Sequence, residues 1–329
     1  MSQMPDTRWR RRTAQALCLG VVMVLLAEAT CRWVLGLGTP PLYETDPAFE
    51  YRLQPNQDLY RFGNHVLVNR WGMRAADFGA TKSSTDEVRV MLVGDSVING
   101  GSQIDQQDLA ATRLQRALGE DLRRPVIVGN ASAGSWGPGN WLAYAQRFGF
   151  FEADVVALVL GSGDAADNPS FAPLGANHPT QAPRLALSEA IHRYLPRYLP
   201  LGWANAEEAS SAPTNDDTEA ELARGLADLQ AFLESARANG RAVVVLHHPD
   251  RQEYESGQYL PGFEALTSLM QRLNVPFVPL RPHYLAAGGQ LYRDGIHTNA
   301  HGQHLIASAL QEAIKPALHR HPSTMRVAP

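Results

Sequence analysis

The chain has 329 residues, a size that allows one substantial α/β domain with further segments around it. Its composition, 44% apolar and 19% charged with a net charge of −4, is that of a globular protein, and the lack of a basic, aromatic-rich patch beyond the first dozen residues argues against a nucleic-acid partner. Both cysteines, Cys18 and Cys31, lie in the N-terminal apolar stretch, which excludes a disulfide or thiolate metal site elsewhere.

Residues 1–38 are typical of a short cytoplasmic tail followed by a membrane anchor. Four arginines among the first twelve residues precede the apolar stretch Ala14–Gly38, and basic residues before a span keep that end in the cytoplasm. Ala14–Ala27 alone resembles the core of a signal peptide, whereas extension through Trp33 reaches the roughly 20 residues of a spanning helix. Glu28 and Arg32 are four apart and can pair on one face. An uncleaved single-pass anchor and a cleaved signal both place the rest outside the cytoplasm, at the periplasmic face of the inner membrane.

Residues 39–85 are predicted to form an extracytoplasmic arm. This stretch contains turn-forming residues, several aromatic residues and one alternating segment, His65–Asn69. Alternation of this kind is typical of a half-buried strand, so we expect an edge strand that packs on the main domain. A plain spacer that holds the domain away from the membrane is the alternative.

Residues 86–320 alternate between short apolar runs and helical patterns. The apolar runs predict buried strands at Val88–Val93, Pro125–Val128, Asp154–Leu160, Ala242–Leu246 and Phe277–Leu280. The patterns between them predict helices at Asp108–Leu118, Asn140–Phe148, Glu219–Ala238, Phe263–Leu273 and His301–Ala317. Five such units predict an α/β fold, a flavodoxin-like doubly wound parallel sheet of about five strands.

Residues 165–216 interrupt this alternation with a long insertion. It contains many prolines, a predicted helix Leu185–Leu195 that Pro196 ends, and a polar tail, Asn205–Asp217. An excursion of this length at the C-terminal end of a strand is typically a substrate-facing flap or a disordered segment. We expect its first half to be ordered and its second half to be mobile.

The stretch Val88–Gly101 indicates the chemistry. A buried strand that stops at Gly94-Asp95-Ser96 presents a serine at the C-terminal edge of the sheet, where open α/β sheets place their ligand sites. A serine hydroxyl is a weak nucleophile until a base takes its proton. Asp294-Gly295-Ile296-His297, just before the last predicted helix, supplies a histidine and a carboxylate three residues earlier. The two stretches together predict a serine hydrolase.

Four segments resemble, in order, the sequence blocks of the SGNH (GDSL-type) hydrolase family, here in a membrane-anchored bacterial form. They are Gly94–Ser96, Asn130–Ser135, Gly161–Asp164 and Asp294–His297, and the resemblance covers about residues 86–318. It implies the SGNH hydrolase fold and an esterase that needs no cofactor and no metal. It also implies that Ser96 is the nucleophile, His297 the general base and Asp294 the residue that orients the histidine.

The resemblance also implies an oxyanion hole, the set of hydrogen-bond donors that stabilises the negatively charged oxygen of the reaction intermediate. Its first donor is the backbone N–H of Ser96. The second is the backbone N–H of Ser135, where the family usually has glycine, with Gly134 as the neighbouring register. The third is normally an asparagine side chain at the position of Gly163, which offers none. We expect Asn168, after the same strand end, to replace it. The alternatives are Ser162, a water molecule, or a slow enzyme in which two backbone donors suffice.

Three further residues are predicted to lie on the substrate rim. His247 and His248 follow the fourth predicted strand, at the same edge of the sheet as Ser96. With Asp250 they could also bind a metal, but the spacing supplies no third ligand. Trp136, in the loop after Asn130, is placed to form a sugar-stacking wall.

The sequence thus predicts an extracytoplasmic serine esterase that works through an acyl-Ser96 intermediate. Its placement and the resemblance favour an O-acyl (acetyl) ester of a carbohydrate or exopolysaccharide as substrate, with the membrane as partner through the N-terminal helix. A polysaccharide O-acyltransferase with the same triad is one alternative. A non-catalytic glycan-binding protein is another, which Gly163 favours and which the intact Ser96, Asp294 and His297 oppose.

Overall fold

The computed structural model describes residues 7–175, 177–195 and 215–320, which form two compact units. The first, which we call the anchor unit, comprises Met1–Pro40, Tyr60–Gly63 and Gln181–Ser210 as far as they are described. The second, the sheet unit, comprises Pro41–Leu59, Asn64–Thr180 and Ser211–Pro329 within the same limits.

The regular elements alternate along most of the chain. The strands are β1 (Tyr43–Asp46), β2 (Glu50–Leu53), β3 (Gln57–Arg61), β4 (Asn64–Val68), β5 (Val88–Gly94), β6 (Val126–Ser132), β7 (Val155–Leu160), β8 (Ala242–His247) and β9 (Phe277–Pro279). The α-helices are α1 (Thr7–Ala29), α2 (Ser96–Asn99), α3 (Ala110–Leu122), α4 (Pro138–Phe148), α5 (Ala186–Glu189), α6 (Asn215–Arg237), α7 (Arg251–Ser256), α8 (Pro261–Leu273), α9 (Arg281–Ala287) and α10 (Ala300–Arg320).

The sheet unit is built on five parallel strands in the order β6-β5-β7-β8-β9. Every residue of β5 and β7 is buried, because helices cover both faces of the sheet, and this is why both sequences are apolar runs, apart from Arg89 in β5. One face packs around Trp141, Phe232 and Leu266, the other around Leu114 and Leu310. Counted along the chain, the strand order is the 2-1-3-4-5 of flavodoxin-like folds, which confirms the predicted fold class.

Strand β6 continues four residues beyond its predicted end. The apolar pattern stops at Val128 because Asn130 and Ser132 are polar, yet both side chains are buried. Ser132 Oγ donates to Asn130 Oδ1 at 2.7 Å, and Asn130 Nδ2 donates to the carbonyl of Ile98 at 3.0 Å. Polar residues tolerate burial when they are hydrogen-bonded in this way, so an apolar pattern underestimates such a strand.

The arm contributes two small antiparallel hairpins, not an edge strand of the main sheet. β1 pairs with β2, and β4, which covers His65–Val68 of the predicted segment, pairs with β3. The alternation in β4 buries only Val66 and Val68, which pack with Leu53 in a small cluster of their own. Phe49, just before β2, belongs instead to the large core cluster. Apart from residues 39–40 and 60–63, the arm therefore belongs to the sheet unit.

A buried arginine fastens the arm to the loop that follows the serine helix α2. Arg74 has only 1% of its surface exposed. Its guanidinium donates to the backbone carbonyls of Asn99 and Gly101, at 3.1 and 2.6 Å, and to the side chain of Gln106 at 3.2 Å. Burial lowers the pKa of Arg74 to about 10, which leaves it charged at neutral pH.

We expect Arg74→Met to lower the free energy of unfolding by about 3 kcal/mol, because it leaves buried carbonyls without donors. Chemical denaturation followed by near-ultraviolet circular dichroism measures the change. Arg70→Met is the matched control: Arg70 pairs with Asp77 on the surface, where ion pairs contribute little. Equal losses for the two variants would contradict a structural role for the buried arginine.

The anchor unit begins with α1, whose helical path continues as a wider π-type turn over Thr30–Val34. Arg8–Val34 is long and apolar enough to cross a membrane, with a mean hydropathy of 1.9, and it is the one such helix among the described residues. A signal sequence near the N-terminus has the same properties. Arg32 Nη2 pairs with Glu28 Oε1 at 2.8 Å, the contact that their spacing predicts.

The insertion is helical where its sequence predicts a helix. α5 and a π-type turn, Ala190–Tyr194, together span 186–194 within the predicted Leu185–Leu195. Residues 205–214 of the predicted polar tail lie outside the described residues. Its last three residues, 215–217, are instead the first turn of α6.

Candidate active site

The serine lies at the sharp turn between β5 and α2. Asp95 caps α2, its Oδ1 accepting the N–H of Val97 at 2.9 Å, and Ser96 is the first helical residue. Gly94 precedes them where β7 approaches: a Cβ at this position would lie 2.8 Å from the carbonyl oxygen of Val159. The turn therefore needs glycine at 94, and it leaves Ser96 half-buried at the C-terminal edge of the sheet.

The histidine and aspartate lie on the loop between α9 and α10. His297 Nε2 is 2.9 Å from Ser96 Oγ, and His297 Nδ1 is 2.8 Å from Asp294 Oδ2. Asp294 Oδ1 also accepts the N–H groups of Ile296 and His297, at 3.0 and 2.7 Å. Partial burial raises the pKa of Asp294, but these hydrogen bonds outweigh it and hold the pKa below its ordinary value.

The ionised carboxylate fixes the tautomer of the histidine. A carboxylate only accepts hydrogen bonds, so His297 Nδ1 carries the proton that faces Asp294. His297 Nε2 is then free to accept, and Ser96 Oγ–H donates to it. The arrangement can remove a proton from the serine hydroxyl without any rotation of the imidazole.

Gln303 in α10 ties this loop to the serine turn. Its fully buried side chain donates from Nε2 to the carbonyl of Val97 at 2.7 Å and to Thr298 Oγ1 at 2.9 Å. Its Oε1 accepts the N–H of Ala110 at 2.9 Å. One amide thus holds the start of α10 against the helices that follow β5. Sequence reasoning missed it, because a glutamine in an amphipathic helix gives no signal of burial.

His248 is a second residue with a positioning role, and it is not on the rim where the sequence placed it. It is buried, with Nε2 2.8 Å from the carbonyl oxygen of Ile296 and Nδ1 2.9 Å from the hydroxyl of Tyr284. Burial lowers its pKa to about 4, so the ring is neutral. A carbonyl only accepts, so Nε2 donates to Ile296 and Nδ1 accepts from Tyr284. His248 therefore holds the residue that precedes His297.

His247 is also buried and does not reach the rim. Ser162 Oγ donates its proton to Glu253 Oε1 at 2.5 Å. Because that proton is used, Ser162 Oγ accepts the hydrogen bond from His247 Nε2 at 2.8 Å. The ring packs edge-on against Phe263, and its Nδ1 has no partner among the residues that the structure describes. Burial lowers the pKa of His247 to about 3. The prediction of a rim residue is wrong because β8 turns this side chain into the core.

Trp136 is a core residue as well. Its indole N–H donates to the carbonyl of Tyr51 at 2.8 Å, and its ring meets those of Phe49 and Tyr144 edge-on or tilted. Only 1% of its surface is exposed. The predicted sugar-stacking wall fails because the arm, which the sequence placed only loosely, covers this side of the loop.

The second candidate oxyanion donor lies on a turn that the arm supports. Ser135 is exposed and has a φ of 54°, in the left-handed region that favours glycine. The preceding residue, Gly134, is fixed by Tyr51, whose hydroxyl donates to its carbonyl oxygen. The ring of His178, from the insertion, lies 4.8 Å from that of Tyr51 and against Gly134. Sequence reasoning missed both aromatic side chains, which are distant along the chain.

The position of the third expected oxyanion donor, at Gly163, is empty. Nothing lies within 4 Å of where a Cβ would be at Gly163, and its backbone is helical, so a side chain fits there without strain. Asn168 does not replace the missing donor. Its Nδ2 donates to the carbonyl and carboxylate of Glu221, at 2.8 and 2.6 Å, which turns the amide toward α6. The prediction for Asn168 is therefore wrong, because its amide N–H groups donate to Glu221 on α6.

Three carboxyl groups gather behind the serine turn. Burial raises the pKa of Asp95, and burial together with the charge of Asp95 raises that of Asp164 well above its ordinary value. Burial and the charges of Asp95 and Glu50 raise the pKa of Asp167 to about 6. Asp164 Oδ2 accepts the N–H of Gly161 at 2.7 Å. Across 7–175, 177–195 and 215–320, no cluster of three His, Cys, Asp or Glu side chains is arranged to hold a metal ion.

The fold and this edge of the sheet define a class, a doubly wound α/β protein with a serine, a histidine and an aspartate in hydrogen-bond contact. The sequence profile of the GDSL-like Lipase/Acylhydrolase family matches residues 92–305, more than half of the chain. The chain belongs to this family.

Several solved structures are similar at low sequence identity. A two-domain esterase (CEX) active on acetylated mannans is 12% identical with a TM-score of 0.45; the match covers 74% of this chain and 52% of that one, so the chain spans about half its length. A G-D-S-L family protein from Veillonella parvula is 11% identical with a TM-score of 0.44, over 69% and 98% of the two chains. A lipase/acylhydrolase from Enterococcus faecalis is 14% identical with a TM-score of 0.43, over 70% and 96%. No protein with a curated description matches the sequence.

We expect His248→Leu to lower kcat for a chromogenic acetyl ester by about 10- to 100-fold with little change in KM, because the loop that carries His297 loses its support. His248→Gln should recover most of the loss, since the amide Nε2 can still donate to Ile296. Steady-state kinetics of both variants test this. A loss that appears in KM, or one that glutamine leaves unrelieved, would contradict the positioning role.

Proposed function

We propose that the chain is a serine esterase in which Ser96 is the nucleophile, His297 the general base and acid, and Asp294 the orienting carboxylate. The observation that carries the proposal is the continuous line of hydrogen bonds from Asp294 through His297 to Ser96. The tautomer that this line requires is the one that a triad needs, with Nε2 unprotonated and facing the hydroxyl.

The proposed reaction has two halves. Ser96 Oγ bonds to the acyl carbon as His297 Nε2 takes its proton, and collapse of the tetrahedral intermediate breaks the ester C–O bond while His297 returns the proton to the leaving alcohol. Water then attacks the acyl-Ser96 ester, with His297 again as base. The products are the carboxylic acid and free Ser96. Asp294 stabilises the charged imidazole without taking its proton.

The backbone N–H groups of Ser96 and Ser135 are the proposed oxyanion donors. The positive φ of Ser135 supports this assignment, because a backbone held in an uncommon conformation is typical of functional turns. Gly163 adds no third donor, and the absence of one donor can cost about 10²–10³ in rate. We therefore propose a slow esterase whose oxyanion hole relies on the backbone.

The proposed location is the outer face of the cytoplasmic membrane, with α1 as a single-pass anchor. The apolar length of Arg8–Val34 and the arginines at its start support this orientation. A domain held there meets the glycans of the cell envelope, so we propose an O-acylated carbohydrate as substrate. Incubation with an acetylated polysaccharide and an added sugar tests this proposal. A hydrolase releases acetate, whereas an acyltransferase transfers acetyl groups to the added sugar.

We expect Ser96→Ala and His297→Ala each to remove about 10³-fold or more of the activity of the full-length protein on a fluorogenic acetyl ester. The double variant should be little worse, because residues that act as a unit are not additive. Asp294→Ala should be milder, since it orients the base without transferring the proton.

Ser102→Ala, a serine on the turn after α2, serves as the control and should retain activity. Full activity in Ser96→Ala would end the proposed mechanism. If the loss of activity in the double variant equals the product of the two single losses, the two residues act separately.

We expect Gly163→Asn to raise kcat by up to about 10²-fold, because it adds an amide donor in open space where the backbone needs no left-handed conformation. Gly163→Ala is the matched control, since it adds a Cβ without a donor and should leave kcat unchanged. Equal effects of alanine and asparagine would rule out a hydrogen-bonding cause. A fall in kcat for asparagine at unchanged thermal stability would mean that the space serves the substrate.

A further inference from the structure

Exposed apolar side chains are concentrated in one unit. Among the described residues, the large apolar side chains that are exposed lie in the anchor unit with three exceptions, Phe171, Leu260 and Leu285. Many of them belong to α1, as expected of a spanning helix. The others lie beyond α1. Trp33 and Val34 still belong to the candidate span Arg8–Val34, but a membrane span by itself does not explain the rest.

These additional side chains come from three segments. Trp33, Val34 and Leu35 follow α1 directly and are 81%, 69% and 42% exposed. Tyr60 lies near the end of β3, and Phe62 lies on the turn that follows it. Leu185, Ile191 and Leu195 come from the insertion and are 55%, 45% and 42% exposed. We call residues 30–38, 60–63 and 184–195 the collar.

The insertion is fixed to the end of the anchor helix by a carboxylate. Glu28 accepts the backbone N–H groups of Ala186 and Leu187, at 3.0 and 2.8 Å, and so caps α5. Arg32 pairs with Glu28 and also donates to the carbonyl of Arg184 at 3.3 Å. The Glu28–Arg32 pair therefore joins the end of the anchor helix to residues 184–187 of the insertion.

A buried ion pair joins the third segment. Arg61 and Glu189 pair with 2% and 5% of their side chains exposed, and Arg61 Nη2 also donates to the hydroxyl of Tyr194 at 2.8 Å. Glu189 Oε2 accepts the N–H of Gly38 at 2.7 Å. Loss of either partner would strand a buried charge, so the pair holds the three segments in one arrangement.

This arrangement prevents the apolar side chains from turning inward. Ala186 and Glu189 are the buried residues of the helical segment, whereas Leu185, which precedes it in an extended conformation, and Ile191 and Leu195 are exposed. The inner side is occupied by Cys31, Leu37 and Ala186. The outer apolar stripe therefore needs an external partner or costs the protein solubility.

The charges of the collar favour a lipid surface as that partner. In its described part, the anchor unit has two acidic residues, Glu28 and Glu189, and both are engaged within it. Arg184 is exposed beside the apolar stripe. Aromatic and basic side chains next to an apolar stripe are typical of protein surfaces that lie in the headgroup region of a bilayer.

The length of the anchor helix places the collar at that depth. The hydrocarbon core spans roughly 20 helical residues, so a span that starts after Arg12 reaches the far interface near Arg32. Trp33 and the turn that follows then emerge among the headgroups. Whatever surrounds the end of α1 must also meet the collar, since the two are continuous and joined by Glu28.

We propose that the collar lies in the headgroup region of the membrane that α1 crosses, so that residues 184–195 of the insertion form a second membrane contact. This inference rests on the proposed anchor. It assigns the insertion a lipid-binding role in place of the substrate-facing flap that its position in the sequence suggests. It also explains Glu28 and Arg32 in an otherwise apolar stretch.

The test uses the full-length protein in nanodiscs of phosphatidylcholine and phosphatidylglycerol. Single cysteines that replace Ile191 or Leu285, in a Cys18→Ala, Cys31→Ala background, carry an environment-sensitive fluorophore. Leu285 is the matched control, an equally exposed leucine in the sheet unit. We expect the probe at 191 to show blue-shifted emission and to be quenched by lipids with a shallow doxyl group, and the probe at 285 to show neither. Retained ester hydrolysis confirms that each labelled protein is folded.

A third probe at Val24 distinguishes failure of the collar from failure of the anchor. If lipid quenches the probe at 24 and leaves the probe at 191 like that at 285, the anchor stands and the collar proposal is wrong. If the probe at 24 is not quenched, the anchor itself is wrong. Blue-shifted emission at 191 without quenching by doxyl lipid would mean that protein covers the stripe, which also overturns the proposal.

Discussion

The hydrogen bond between His297 Nε2 and Ser96 Oγ joins residues 201 positions apart, and much of the sheet unit is arranged to make it possible. Parallel strands bring their carboxyl ends to one edge, so the turn after β5 and the loop before α10 start out as neighbours. Approach to 2.9 Å needs more than topology. Gln303 fixes α10 to Val97 and Ala110, and His248 holds the carbonyl of Ile296. These contacts lie outside the proposed triad, yet they set the distance between His297 Nε2 and Ser96 Oγ.

Several titratable side chains at this edge of the sheet are held uncharged, in contrast to Asp294. The low pKa values of His247 and His248 keep both rings uncharged, and the pKa of Asp164, raised well above its ordinary value by burial and by the charge of Asp95, favours a protonated carboxyl group there. Asp294, by contrast, is held ionised by two backbone N–H groups. The negative charge that the imidazolium of His297 requires is therefore placed on Asp294, and the surrounding carboxyl groups compete with it less than their number suggests.

The sequence predicted the parallel sheet and its flavodoxin-like strand order, because buried parallel strands leave long apolar runs. It also predicted the close approach of Ser96 and His297, because their two polar blocks follow strand ends. It could not predict which polar or aromatic residues near those ends are exposed. Trp136, His247 and His248 follow strands as Ser96 does, yet the arm and the neighbouring helices cover them. Asn168 failed for a related reason, since a partner on α6 more than fifty residues away takes its hydrogen bonds. Such partners come from tertiary contacts, which no local pattern encodes.

The arm is accordingly part of the proposed site and not a tether. Tyr51 fixes the carbonyl of Gly134 beside the proposed second donor, and it also receives the indole hydrogen bond of Trp136. Burial and the charge of Glu50 raise the pKa of the Tyr51 phenol, so it remains a neutral donor in this contact. A serine at 135 in a left-handed conformation costs of order 1–2 kcal/mol more than glycine, and the hydrogen bond to Gly134 is one of the contacts that can offset it. A chain that lacked β2 would therefore keep Ser96, the proposed nucleophile, and lose the support of the proposed oxyanion turn.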